Sequence, residues 1–214
     1  MTITIDPAAT AGLVAREIRT GERDGTPTKI AVARRTYATD RADLWDAVTT
    51  PERIVRWFLP VSGDLSVGGR YQLEGNAGGT IERCDPPRAF DATWEYGPMT
   101  SWIELRIGPA EDGRARFELH HIALVDDGGH WERYGPGAVG VGWDLGLLGL
   151  ARHLESGEAV DPKAFEAWTL SDEGRAFVAA ASADWGEAAI AAGADPDAAR
   201  AAAGNTTAFY TGTA

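Results

Sequence analysis

Apolar and polar residues frequently alternate with period two in five short segments between residues 70 and 125, and KIAVARRTYA, residues 29–38, is rich in residues that suit a half-buried strand. Such alternation presents one side of a strand to a core and the other to water. A strand-like stretch from residue 13 precedes KIAVARRTYA, and Arg23-Asp24-Gly25 between the two carries the Asp-Gly hairpin signal. The later segments are RYQLEG, GTIERC, AFDATWEYG, TSWIELRIG and RARFELHHIALV. Turn residues split them at Val67-Gly68-Gly69, at 75–79, at Asp85-Pro86-Pro87, at Gly97-Pro98 and at Glu111-Asp112-Gly113. Spacings this short suit hairpins and leave no room for crossover helices, so the pattern predicts an antiparallel sheet. A Rossmann fold or a barrel of βα units is excluded.

Two stretches change to helical period. Asp40 can cap a short helix carrying Leu44, Trp45 and Val48, and Thr50-Pro51-Glu52 starts a second with Ile54, Val55, Trp57 and Phe58 before Pro60. After Asp126-Asp127-Gly128-Gly129, Pro136 opens a long helix that Gly157 ends. Val139, Trp143, Leu147, Leu150 and Leu154 form its apolar stripe, flanked by Gly142, Gly146 and Gly149. Each glycine costs a helix about 1 kcal/mol relative to alanine. A bare face therefore predicts either close packing against the sheet or space left for a bound molecule. Three more helix starts follow at Asp161-Pro162, Ser171-Asp172-Glu173 and Asp195-Pro196, with Phe165, Trp168, Phe177, Trp185 and Ile190 as apolar anchors. The expected fold is α+β: about six to seven antiparallel strands in a curved sheet wrapped around the long helix. Residues 1–12 are expected to be a flexible terminus, 13–157 the domain, and 158–214 an Ala-rich helical extension docked on it.

Composition narrows the functional classes. The chain has 32 acidic against 20 basic residues, a net charge of -12. Nucleic-acid binding draws on clustered Lys and Arg, and Arg34-Arg35 is the only adjacent basic pair. Nucleic acid and membranes are therefore not expected partners. The apolar stretches are too short to span a bilayer, the N-terminus lacks signal-peptide character, and a cytoplasmic location is expected. Cys84 is the single cysteine, which excludes an internal disulfide framework and multi-thiolate metal sites.

The segments 44–48, 51–58, 63–70 and 79–96 carry LWDAV, PERIVRWF, GDLSVGGR and GTIERCDPPRAFDATWEY. In this order and spacing they resemble the opening of SRPBCC (START-like, helix-grip) domains, in the branch similar to the heat-shock-protein ATPase activator homologue family. The resemblance spans about residues 28–155. It implies a helix-grip fold with an internal cavity. That superfamily includes carriers, receptors, cyclases and chaperone activators, so the fold leaves function open.

Strand alternation and helical spacing then nominate cavity-lining residues: Trp57, Phe58, Trp94, Tyr96, Phe117, Leu119, His121, Val139, Trp143 and Leu147. Adjacent His120 and His121 point to opposite faces of a strand, and no histidine spacing suits a metal, so neither metal nor cofactor is expected. Asp144 reads as an exposed or ion-paired acid; if buried, it would acquire a raised pKa. Glu74, Glu82, Glu95 and Glu104 read as the solvent face of the sheet. No GxSxG, Walker loop or GxGxxG is present, and Cys84 has no activating base nearby in sequence. Three functions stay open. The favoured one is binding of a small hydrophobic or aromatic ligand without chemistry. A cyclase-, hydratase- or hydrolase-like enzyme would use Asp144 or His121. A chaperone-ATPase-activator-like module would meet a protein partner, or the chain would form a homodimer.

Overall fold

The computed structural model describes residues 5–125 and 129–213. Among them are eight strands and eight α-helices. In chain order, α1 (Pro7–Ala11) precedes the hairpin β1 (Ala15–Arg23) and β2 (Thr26–Tyr37). Helices α2 (Arg41–Thr49) and α3 (Pro51–Ile54) follow, then β3 (Val61–Gly63), β4 (Arg70–Leu73), β5 (Gly78–Asp85), β6 (Ala89–Tyr96), β7 (Met99–Pro109) and β8 (Ala115–Leu124). The chain closes with α4 (His130–Tyr134), α5 (Gly137–Ser156), α6 (Pro162–Thr169), α7 (Asp172–Ala191) and α8 (Pro196–Thr211). One open sheet orders its strands β1-β2-β8-β7-β6-β5-β4-β3. Consecutive strands from β3 to β8 pair antiparallel. An antiparallel sheet followed by one long helix is the helix-grip order.

The local chemistry accounts for the elements. Asp24 and Gly25 take positive φ, 51° and 78°, as a tight Asp-Gly hairpin requires. The Asp40 carboxylate accepts from the N–H groups of Ala42 and Asp43, and Asp161, Ser171 and Asp195 cap α6, α7 and α8 in the same way. Thr50 precedes Pro51 at the first position of α3 but gives its hydroxyl to Asp46, so no side chain caps that helix. Three elements differ from expectation. The three-residue β3 adds an eighth strand. Residues 130–134 form α4. Residues 7–11, expected to be loose, are helical, because Asp6 caps a turn begun by Pro7 and Ala11 is fully buried. Of the turn expected at Asp126-Asp127-Gly128-Gly129, the first three residues lie outside the described ones.

The chain falls into two compact units: Met1–Ala33, Leu124–Leu145 and Asp161–Ala214 form one, Arg34–Ala123 and Gly146–Val160 the other. The helix-rich unit is centred on Val141, Phe177, Val178, Ala181 and Trp185. The strand-rich unit buries Leu44, Ile103, Leu105, Phe117 and Leu119 with Leu147, Leu148 and Leu150 from the second half of α5. Both β2 and α5 contribute to each unit.

Candidate functional site

Register defines the inner face of the strand-rich unit. Phe90 lies opposite Leu105, Ala92 opposite Ile103 and Trp94 opposite Ser101, while Leu105 faces Leu119, Ile103 faces His121 and Ile107 faces Phe117. Directly opposed residues share a face, so these side chains form one continuous surface. Asp91, Glu104, Glu118 and His120 occupy the other face, where His120 meets Glu118 at 2.6 Å and Arg34 donates to Glu118 at 2.7 Å. Glu95 also lies there, paired with Arg70, and Glu74 and Glu82 are exposed.

Aromatic contacts tie the inner face together. Trp94 meets His121 edge-on with centroids 6.2 Å apart, Tyr37 meets Phe117 at 6.5 Å, and Trp45 of α2 meets Phe90 at 6.4 Å. Burial lowers the pKa of His121 to about 4, so this imidazole is neutral at physiological pH. The Leu147 carbonyl of α5 accepts from the Tyr37 hydroxyl at 3.1 Å and from Arg35 Nη1 at 3.4 Å. After α3, Trp57 and Phe58 stack with centroids 5.3 Å apart, and the Trp57 indole donates to the Ala47 carbonyl at 2.8 Å. Behind them Arg53 donates to His153 Nε2 at 3.1 Å while His153 Nδ1 meets the Glu158 carbonyl at 2.9 Å.

The glycine row of α5 has a definite partner at each position, and those partners are not strands. A Cβ at Gly149 would lie 2.5 Å from the Trp57 carbonyl oxygen, and one at Gly146 would lie 3.4 Å from the Phe58 ring. In the helix-rich unit, a Cβ at Gly142 would meet the Tyr210 hydroxyl at 3.0 Å, and one at Gly140 would overlap Trp185 at 2.2 Å. Close packing was one of the two readings of the bare face. Its partners are the α3 end and the C-terminal helices, where the sheet was expected.

Of the nominated residues, Trp94, Phe117, Leu119 and His121 share the inner face, and Trp57, Phe58 and Leu147 belong to the same compact unit. Tyr96 has the inner-face parity but is 55% exposed at the β6–β7 hairpin, opposite Met99. Val139 and Trp143 are half-buried on the part of α5 that belongs to the helix-rich unit. The sequence reading missed Arg35 and Tyr37. The signal was present: two-residue spacing puts both on the apolar parity of β2 with Ala31 and Ala33.

Asp144 is buried and ion-paired, within the helix-rich unit. Its carboxylate receives Arg16 at 3.1 Å and the Trp185 indole at 2.9 Å, and Arg16 also reaches Asp184 at 2.8 Å. Burial raises the Asp144 pKa to about 6 against the opposing pull of Arg16 and Trp185. Of the two expected alternatives, exposed or ion-paired, the structure shows the ion pair, but buried under α7 and not on an outer face. Among the described residues no group of three His, Cys, Asp or Glu is placed to hold a metal ion. Cys84 is an exposed free thiol whose pKa is raised by burial of the sulfur and by Asp85, the wrong direction for a nucleophile. No helix among the described residues is long and apolar enough to cross a membrane.

Solved structures place this arrangement among known folds. The crystal structure of CalU16 from Micromonospora echinospora is 30% identical, covering 73% of this chain and 96% of that one with a TM-score of 0.59. Its solution structure is 25% identical and covers 94% of each chain with a TM-score of 0.63, so the likeness takes in most of the C-terminal helices. Protein MLL2253 from Mesorhizobium loti, 19% identical, covers 59% of this chain and 96% of that one with a TM-score of 0.52, and shares the fold. No curated protein matches the sequence. Residues 38–155, from the end of β2 through α5, match the family described as Activator of Hsp90 ATPase homolog 1-like protein, and the chain belongs to that family.

Proposed function

We propose that the strand-rich unit binds a small hydrophobic, aromatic ligand against the inner face of its sheet, without chemistry. The observation that carries this reading is uneven burial. Phe117, Leu119 and His121 are sealed, whereas Trp57, Phe58 and Trp94 of the same unit keep accessible surface. Interiors otherwise pack to crystal density, so large aromatics left partly open are groups a ligand can complete. What supports binding without chemistry is that the Asp144 carboxylate, one of the two candidate acid-base groups, is engaged by Arg16 and Trp185 within the helix-rich unit. An activator-like role with a protein partner is the second reading that the family description brings.

Native mass spectrometry of freshly purified protein tests the proposal. A defined small molecule at unit stoichiometry is expected, and returning it at about 100 times its Kd should stabilise the fold by roughly 2.7 kcal/mol. Trp94→Ala should weaken that binding. A bare mass together with no stabilisation by any of a broad panel of apolar compounds would overturn it and turn attention to a protein partner.

A further inference from the structure

Arg35 sits on the inner face of β2, two residues from Tyr37, and is only 7% exposed. Its neighbour Arg34 faces the other way and pairs with Glu118 at 2.7 Å. Among the described residues no carboxylate pairs with Arg35. Its neutral company is the Leu147 carbonyl, at a long 3.4 Å from Nη1, and the Tyr37 ring, 5.3 Å from the guanidinium carbon. A guanidinium has five N–H donors in a planar fork and stays charged at any ordinary pH. Withdrawing such a charge from water without an opposite charge is costly, and proteins rarely do so without a use for it. Among the described residues, the side-chain polar atoms that are both sealed and unpartnered are Asp144 Oδ1 and Ser182 Oγ. The unused Arg35 donors are therefore not walled in by carbon.

We propose that Arg35 anchors an anionic group of the ligand, a carboxylate, a sulfonate or an ionised phenol on an aromatic body. This rests on the binding reading above and adds the polar half of the recognition. The fork matches two acceptor oxygens at once, and the partly open aromatics Trp94, Trp57 and Phe58 of the same unit take the apolar body. The rest of the chain works against anion binding, because its net charge is -12. Any preference for an anion must then come from a local cation, and among the described residues Arg35 is the cation withdrawn onto this face.

Two fluorescent probes with the same scaffold separate the claims: 8-anilinonaphthalene-1-sulfonate, and N-phenyl-1-naphthylamine, which lacks the charge. The full-length protein should bind the sulfonate about tenfold more tightly than the amine. Arg35→Gln should remove that preference and leave amine binding unchanged. Arg35→Lys keeps the charge without the fork, and should retain part of the preference; it also serves as the test if the glutamine variant fails to fold by circular dichroism. Equal binding of both probes, or equal losses of both in either folded variant, would make Arg35 a structural residue while leaving the binding reading intact. Failure of both probes to bind the wild-type protein would overturn the binding reading, and the anchor with it.

Discussion

Arg16 and Arg35 are both withdrawn from water, one in each compact unit, and their surroundings are opposites. Arg16, with 4% of its side chain exposed, pairs with Asp144 and Asp184, donates to the carbonyls of Val14 and Ala11, and lies over the Trp185 ring. Arg35 meets one carbonyl and one ring. A cation whose donors are used is part of the architecture, holding β1, α5 and α7 of the helix-rich unit together. A cation with donors to spare is arranged for something that arrives from outside. The comparison separates a buried charge that the fold needs from one that it tolerates.

The comparison breaks if the two arginines respond alike to removal. Arg16→Met leaves Asp144 buried opposite no guanidinium and should cost about 3–5 kcal/mol, read by urea unfolding. The pH dependence of stability comes next, on the order of 1–3 kcal/mol across each titration. Asp144 is raised to about 6 by burial, so its stabilising proton is present at low pH and lost as pH rises through 6. His121 is lowered to about 4 by burial, so below its ordinary 6.5 only the unfolded chain takes up the proton, and stability falls as pH drops toward 4. Relative to wild type, Asp144→Asn should therefore gain stability as pH rises from 4 to 6, and His121→Gln as pH falls from 6.5 to 4. A flat difference curve, or one of the opposite slope, would contradict the assignment for that residue.

Glycine substitutions sharpen the picture at a smaller scale. Gly140→Ala and Gly149→Ala drive a Cβ into Trp185 and into the Trp57 carbonyl, and each should lose about 1–3 kcal/mol in thermal unfolding. Gly146→Ala meets the Phe58 ring at an ordinary 3.4 Å and should be neutral or gain up to about 1 kcal/mol of helix propensity. The smallest effect belongs to Arg35→Met, expected within about 1 kcal/mol of wild type or slightly stabilised, since it removes a charge that no carboxylate balances. A loss as large as that of Arg16→Met would show that Arg35 is structural.

What the sequence disclosed follows the range of the forces involved. Caps, the Asp24-Gly25 turn and strand parity act over a few residues, so β1, β2, β4 to β8 and the helix starts at Asp40, Asp161, Ser171 and Asp195 could be read directly, whereas the three-residue β3 was too short to show a pattern. The glycine row of α5 announced a close approach without naming what approached. Trp185 and Tyr210 lie two and three helices further along the chain, and nothing local to Gly140 or Gly142 selects them. Asp144 found its counter-ion 128 residues upstream, in the hairpin strand β1. Arg35 was legible and overlooked: counted as half of a basic pair, it stands on the apolar parity of its strand, where a charge is the informative residue. Ligand identity leaves no such local trace.

The most direct test of ligand binding in the strand-rich unit uses the protein's eight tryptophans as reporters. Indole N–H resonances in a nitrogen-15 correlation spectrum, assigned by single Trp→Phe variants, can be followed while 8-anilinonaphthalene-1-sulfonate is added. The account expects the Trp94 and Trp57 signals to move to saturation together, with Trp185 unmoved on its hydrogen bond to Asp144. Movement of Trp185 or Trp168 with Trp94 and Trp57 unchanged would place binding in the other unit and contradict the account.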